Sequence, residues 1–370
     1  MSDLPPSADP FYAPVAATAR PGEIFRIRPV EVATRTDSAA WQLVYSSTGT
    51  RNQPIAVSGT LLVPTSPWPG SGPRPILSYG VGVHGLGRDA AASYLMRLGT
   101  EAEIPLIDMA LARGWAVAVS DGEGLGMPGP HTYGAGRSGG YAMLDIVRAS
   151  VHCGALLHAQ APTLVWGYSE GGRCAAWSAE LAPEYAPDLD LVGVAAGGVP
   201  ADLRAVAKAI DGGPFSGLGL AVLIGLAHAH QDRRLFAILS ESGKAAATNA
   251  ATLDVVGLIT SHPEPMRQHT VRDEPWDEPV WRELLDRERN GRRRPGAPIY
   301  LYHVVDDQLV PTVLGRDLRQ DYAALGADVT WADVPADDHL SGAFVGASGA
   351  VDWLAGRLGA VRHHLAPAAP

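Results

Sequence analysis

Cysteine is nearly absent: the 370-residue chain carries only Cys153 and Cys174. Two thiols cannot make a disulfide framework, and no CxxC or Cys/His zinc spacing surrounds either. They read as buried thiols or one optional bridge. Charge is also sparse. Charged residues make up 18% of the chain, with a net balance of −10. That balance argues against nucleic acid or an anionic membrane as the main partner. A neutral ester or lipid interface stays open, because contact there is apolar. Long hydrophobic runs are missing too. The most apolar stretch, 217–229 (GLGLAVLIGLAHA), carries His228 and is shorter than the ~20 residues of a membrane span. No stable membrane anchor is expected. The first residues, MSDLPPSADPFYAP, lack the basic and apolar regions of a signal peptide. As written, the chain reads as cytoplasmic, or as secreted if this is the mature form of a precursor.

What is present is core material. Apolar residues reach 46%, enough for a sizeable interior and too many for a disordered chain. After a Pro/Ala-rich arm of ~20 residues, the segments 24–34, 40–48 and 54–64 alternate apolar and polar positions, as half-buried antiparallel strands do. Then the rhythm changes to short continuous apolar runs: RPILSYG (74–80), WAVAVSDGEG (115–124), TLVWGYSEGG (163–172), LVGVAAGG (191–198), PIYLYHVVDD (298–307) and DVTWADVP (328–335). A helix-like stretch covers 140–157. Such runs separated by helices predict an α/β protein with a mostly parallel sheet, helices on both faces, and function in the loops beyond the strand ends. Between about 200 and 290 the alternation stops, and the length predicts an inserted helical cap rather than a connection. The catalytic core is then 1–199 with 291–370. The run RNGRRR at 289–294 reads as a solvated turn.

The chemistry gathers at Gly167-Tyr168-Ser169-Glu170-Gly171, a G-x-S-x-G between an apolar run and a helical pattern. Strand, sharp turn and helix form the context of a nucleophile elbow, with Ser169 as nucleophile and the N–H of Glu170 as one oxyanion donor. The second match, Gly136 to Gly140 around Ser138, follows a turn-rich loop, so Ser138 is expected to cap the next helix. Partners should follow in the order acid, then histidine. One of Asp306 and Asp307, at the end of a late strand, is the orienting acid, with Asp307 favoured. Of twelve histidines only His339, His363 and His364 come later, and the last two read as a tail after the final helix. His339 is the base. The loop 80–87 (GVGVHGLG) should give the second donor, from His84 or a neighbour. It fits neither a phosphate loop nor a dinucleotide fingerprint.

These residues, with DPFYAP near the start, SYGVGVHGLGRDAAAS, SDGEGLG, GYAMLDIVRA, GYSEGG and DDQLVP in order, give a chain that resembles the secretory lipase family. The resemblance spans nearly the whole sequence. It implies an α/β-hydrolase core with a cap, acting on acylglycerols or simpler carboxylic esters without cofactor or metal. It also implies an acid four residues before a proline, which matches Asp307 and Pro311. The chain departs from many relatives where they read H-G-T-T-G and then C-A-P-S. Here those places read VGVHG and AAAS, a change that bears on a family disulfide and on the first oxyanion donor. Two other outcomes share the features: an acyltransferase using the same acyl-enzyme, and a non-catalytic binding protein on the same fold.

Overall fold

The computed structural model describes residues 3–154 and 157–365, with side chains through residue 358. Among the described residues, nine strands make one sheet: β1 (Ile24–Val30), β2 (Ser38–Thr48), β3 (Pro54–Pro64), β4 (Ile76–Gly80), β5 (Ala116–Gly122), β6 (Pro162–Tyr168), β7 (Asp190–Gly197), β8 (Ile299–Val304) and β9 (Val329–Val334). Their spatial order is β1-β2-β3-β5-β4-β6-β7-β8-β9. The first three pair antiparallel, β3 also joins β5 antiparallel, and every pair from β5 through β9 is parallel. The short apolar runs sit where helices cover both faces. β4, ILSYG, is buried at every position, which is why it does not alternate.

Helices α1 (Ala92–Leu98), α2 (Ile104–Ala112), α3 (Gly136–His152) and α4 (Glu170–Tyr185) precede the cap region. Between β7 and β8 the chain forms α5 (Leu203–Ile210), α6 (Ser216–His230), α7 (Arg233–Phe236), α8 (Glu241–Ala250), α9 (Val255–Ser261) and α10 (Pro279–Arg287). Finally, α11 (Thr312–Ala324), α12 (His339–Val345) and α13 (Ala347–Leu365) complete the sheet's covering. This is the α/β-hydrolase architecture. The α5–α10 block has its own apolar cluster, centred on α6 with Leu220, Leu223 and Leu226 fully buried and Trp276 and Trp281 packed around them. A helix apolar on all sides belongs in an interior, and α6 is the centre of that cluster.

Several elements differ from their sequence reading. β2 and β3 are not half-buried; most of their positions are buried. The polar residues that suggested a wet face are inside, and most of them are paired. Gln42 Nε2 donates to Ser93 O at 2.6 Å, Ser47 Oγ to Asp145 at 2.7 Å, and Ser58 Oγ to Asp121 at 2.5 Å. Buried polar groups are tolerated on those terms. The amino-terminal arm lies over this sheet, where Tyr12 packs on Val44 and Met127. Helix α3 begins at Gly136, not Gly140. Glycine there permits close helix contact, since a Cβ on Gly136 would meet the Trp177 ring at 1.9 Å. The RNGRRR segment is only partly a solvated turn. Arg289 and Arg293 pair with Asp321 and Glu184, but Asn290 is buried. His363 and His364 fall within α13 rather than after it.

Candidate active site

β6 and α4 meet at Ser169, whose backbone takes φ 57°, ψ −122°. That left-handed value is uncommon for a residue with a Cβ. The surroundings enforce it: Ser169 N donates to Gly197 O at 2.9 Å. A Cβ on Gly171 would lie 1.9 Å from Gly80 O, and one on Gly167 would lie 2.3 Å from Gly171 O. Only glycine fits on either side of the serine. The bend holds Oγ out at the strand ends, at the amino terminus of a 16-residue helix, where the dipole favours negative charge.

His339 opens α12. Asp338 caps that helix by accepting from Ser341 N at 2.7 Å, which fixes the helix start and the ring it carries. The buried imidazole reaches both ways. Its Nε2 lies 2.8 Å from Ser169 Oγ and its Nδ1 2.6 Å from Asp307 Oδ2. Asp307 Oδ1 accepts from the N–H groups of Leu309 and Val310 at 3.0 and 2.8 Å. Burial alone would raise this carboxyl, but His303, His339 and the backbone donors outweigh it and hold it well below the usual range. Asp307 therefore stays ionised opposite the imidazole. Asp306 is exposed to solvent.

The loop 80–87 runs beside the serine. Gly82 N donates to Glu103 at 2.7 Å, and Leu86 N and Gly87 N both donate to Leu253 O. Val83 lines the chamber at Ser169, whereas His84 does not. The His84 ring turns to Gly82 O and Glu101, each at 2.8 Å. Burial would depress that imidazole, but the Glu101 carboxylate and neighbouring Glu103 raise its pKa to about 9. His84 is thus a cationic brace of the loop. Glu170 turns its carboxylate aside, accepting from Gly134 N at 3.2 Å, and burial pushes its pKa up. Its own backbone N–H begins α4.

A cavity of about 380 Å³ opens over Ser169 and His339, within the usual range for small-molecule sites of roughly 300–1,000 Å³. Its roof is apolar and comes from the inserted helices: Leu203 and Val206 of α5, Leu218 and Val222 of α6, Val255 and Ile259 of α9. Leu340 and Phe344 of α12 complete the wall, and both are partly exposed at 67% and 49%.

Sequence reasoning singled out Ser169, Asp307, His339, Glu170 and His84, and the first three stand in one hydrogen-bonded line. Ser138 does not cap its helix; it lies inside α3 and donates to Glu123 Oε2 at 2.7 Å. Two supporting residues were missed. Buried His303 lies 3.4 Å from Asp307 Oδ2 and 2.8 Å from Val310 O; its place four residues before Asp307 on the same strand end was the available signal. Fully buried Arg173 contacts Asn290 at 2.9 Å, Gly134 O at 2.6 Å and Glu288 at 3.2 Å. It ties the nucleophile helix to the end of the inserted block, and no sequence signal marked it.

The pattern of the family described as Secretory lipase matches residues 90–363. Over 377 residues the chain is 31% identical to a Mycobacterium tuberculosis (strain CDC 1551 / Oshkosh) protein named "Probable inactive lipase MT1628", covering 96% of this chain and 82% of that one. It is 29% identical over 387 residues to Lipase 10 of Candida albicans, covering 95% and 81%. Among solved structures, Candida antarctica lipase A in its closed state superposes with a TM-score of 0.86 at 25% identity, covering 96% of this chain and 87% of that one. With residues 90–363 matched and lipases among its relatives at nearly full coverage, the chain belongs to the secretory lipase family.

Proposed function

We propose that this protein is an active carboxylic ester hydrolase for substrates with apolar acyl groups, working through Ser169, His339 and Asp307. The observation that carries this reading is the line Ser169 Oγ, His339, Asp307, with contacts of 2.8 and 2.6 Å. A relative is named as an inactive lipase, so the contact matters: an unlinked serine is a poor nucleophile.

Ser169 Oγ attacks the ester carbonyl carbon as His339 Nε2 takes its proton. The carbonyl π electrons move to oxygen, and the resulting oxyanion accepts from the N–H of Glu170 and from a loop N–H. Val83 suits the second role better than His84, because it faces the chamber. Removing one such donor costs about 3 kcal/mol of barrier. The intermediate collapses, the carbon–alkoxy bond breaks, and His339 returns its proton to the leaving alcohol. A water then gives a proton to His339 and attacks the acyl carbon. The Ser169 ester bond breaks, Ser169 recovers the proton, and the acid departs. Asp307 holds the imidazole with Nδ1–H toward itself and stabilises the imidazolium without taking the proton. No step calls for a metal or cofactor. The substrate class follows from the roof, whose side chains from α5, α6 and α9 are all aliphatic. The partner is then a small-molecule or lipid ester.

The test is hydrolysis of p-nitrophenyl esters from acetate to palmitate, with and without added alcohol. The expected result is turnover that Ser169→Ala reduces by about 10⁶-fold, as loss of such a serine does elsewhere. Ser169→Ala turning over at the wild-type rate refutes the assignment, and transfer of acyl to the alcohol in preference to water would make the protein an acyltransferase.

A further inference from the structure

The α5–α10 block gathers three side chains that ester hydrolysis does not use. His262 terminates α9, Glu264 follows it, and His269 ends the short turn Met266–Gln268. One ligating atom from each lies within 4.8 Å of the others. Both imidazoles are buried at 7% exposure, and their rings cross at 77° with centroids 6.0 Å apart. Glu264 Oε2 and His269 Nε2 face each other at 3.8 Å, too far for a hydrogen bond. Both atoms are buried, and neither has a hydrogen-bond partner among the described residues. Two such groups are unfavourable where they stand unless something is held between them.

The third ligand is prepared differently. His262 Nε2 lies 3.1 Å from Asn249 Oδ1. An N–H donated there fixes the ring and leaves Nδ1 with its lone pair, the usual outer-shell arrangement of a metal-binding histidine. The segment is also held from outside. Ser216 Oγ donates to Glu264 O at 2.7 Å, Met266 N to Asp211 Oδ1 at 2.7 Å, and Ser240 N to His269 O at 3.0 Å.

We propose that His262, Glu264 and His269 form a zinc-binding site that pins the inserted helices over the chamber. Two imidazoles and a carboxylate are a zinc donor set, and bonds of about 2.0–2.1 Å would draw the ligand atoms to roughly 3.4 Å apart. Water completes the coordination on the side where Glu264 remains 41% exposed. The location gives the ion a job. Helix α9 supplies Val255 and Ile259 to the chamber, and its first residue is tied to the loop beside Ser169 by Val255 N donating to His84 O at 2.8 Å. A zinc ion at the other end of α9 fixes the helix at both ends.

The test uses the full chain without an affinity tag, stripped with EDTA and titrated with zinc chloride by calorimetry, with Tm followed in parallel. The expected result is one equivalent bound at micromolar Kd or tighter, a higher Tm, and the absorption of four-coordinate cobalt when Co²⁺ replaces zinc. His269→Gln removes a ligand nitrogen that makes no hydrogen bond among the described residues, so the metal-free protein still folds and its Tm no longer rises with zinc. Asn249→Ala weakens zinc binding by roughly 10–100-fold, as outer-shell losses do. If His269→Gln does not fold, Glu264→Gln supplies the same comparison. Zinc binding that these variants leave unchanged, or no saturable binding by the wild type, overturns the site.

Discussion

The sheet and the inserted helices build the two halves of the chamber by different means. The sheet half is rigid and carries the hydrogen-bonded line of Ser169, His339 and Asp307. Ser169 is locked by a tight bend, and Asp307 and His339 are locked by backbone donors and a helix cap. The inserted half is apolar, with two of its three lining helices short: α5 has eight residues and α9 seven, both packed on the 15-residue α6. Such helices are marginal alone and depend on packing. Position is thus set by backbone geometry in one half and by side-chain contacts in the other. Under the proposed function, chemistry belongs to the first and selection of substrate to the second.

That contrast can be broken by mutation, and the largest effect should come from the rigid half. Asp307→Asn keeps the shape but favours the wrong imidazole tautomer, so kcat should fall about 10⁴-fold with the fold intact. A steady-state assay with a thermal melt checks it, and a loss under tenfold would detach Asp307 from the line. Next comes the joint between the halves. Arg173 is buried against Glu288, whose pKa stays low despite burial because His230 and Arg173 face it. Glu288→Ala leaves Arg173 without its buried counter-charge, and removing one partner of such a pair costs about 3–5 kcal/mol. Denaturant unfolding reads this directly.

A smaller and more selective effect is expected in the roof. Leu218→Trp fills part of the 380 Å³ chamber, so kcat/KM for long p-nitrophenyl esters should fall by at least tenfold while acetate changes little. An equal loss on both would mean that the roof does not select chain length. The smallest effect concerns the loop brace. The His84 pKa is raised from the ordinary 6.5 to about 9. Its stabilising contribution is therefore complete below the lower value and is lost as pH rises through the upper one. The Tm gap between the wild type and His84→Gln should be widest near pH 6 and close above pH ~9. A gap independent of pH would show that packing, not charge, holds the loop.

What the sequence disclosed follows the same division. The elbow was legible because strand, bend and helix are consecutive, and Gly167 and Gly171 are required by local sterics. Chain order then narrowed the partners to Asp306 or Asp307, with Asp307 favoured and further supported by the family resemblance, and to His339, although 32 and 170 residues separate His339 from its contacts with Asp307 and Ser169. The parallel strands were legible because burial on both faces leaves continuous apolar runs. Polar residues such as Gln42 and Ser58 misled the reading of β2 and β3, since alternation looks the same whether the polar side meets water or buried partners. The Arg173–Glu288 joint spans 115 residues and leaves no local pattern. Likewise His262, Glu264 and His269 have no recognised spacing, and only folding shows that two of their atoms lack hydrogen-bond partners among the described residues.

The most direct test of the central claim is labelling of the intact protein with a fluorophosphonate serine probe, followed by peptide mapping. The account predicts stoichiometric modification at Ser169, lost in His339→Ala. An unlabelled protein, or a label on Ser138 or any other serine, would contradict it.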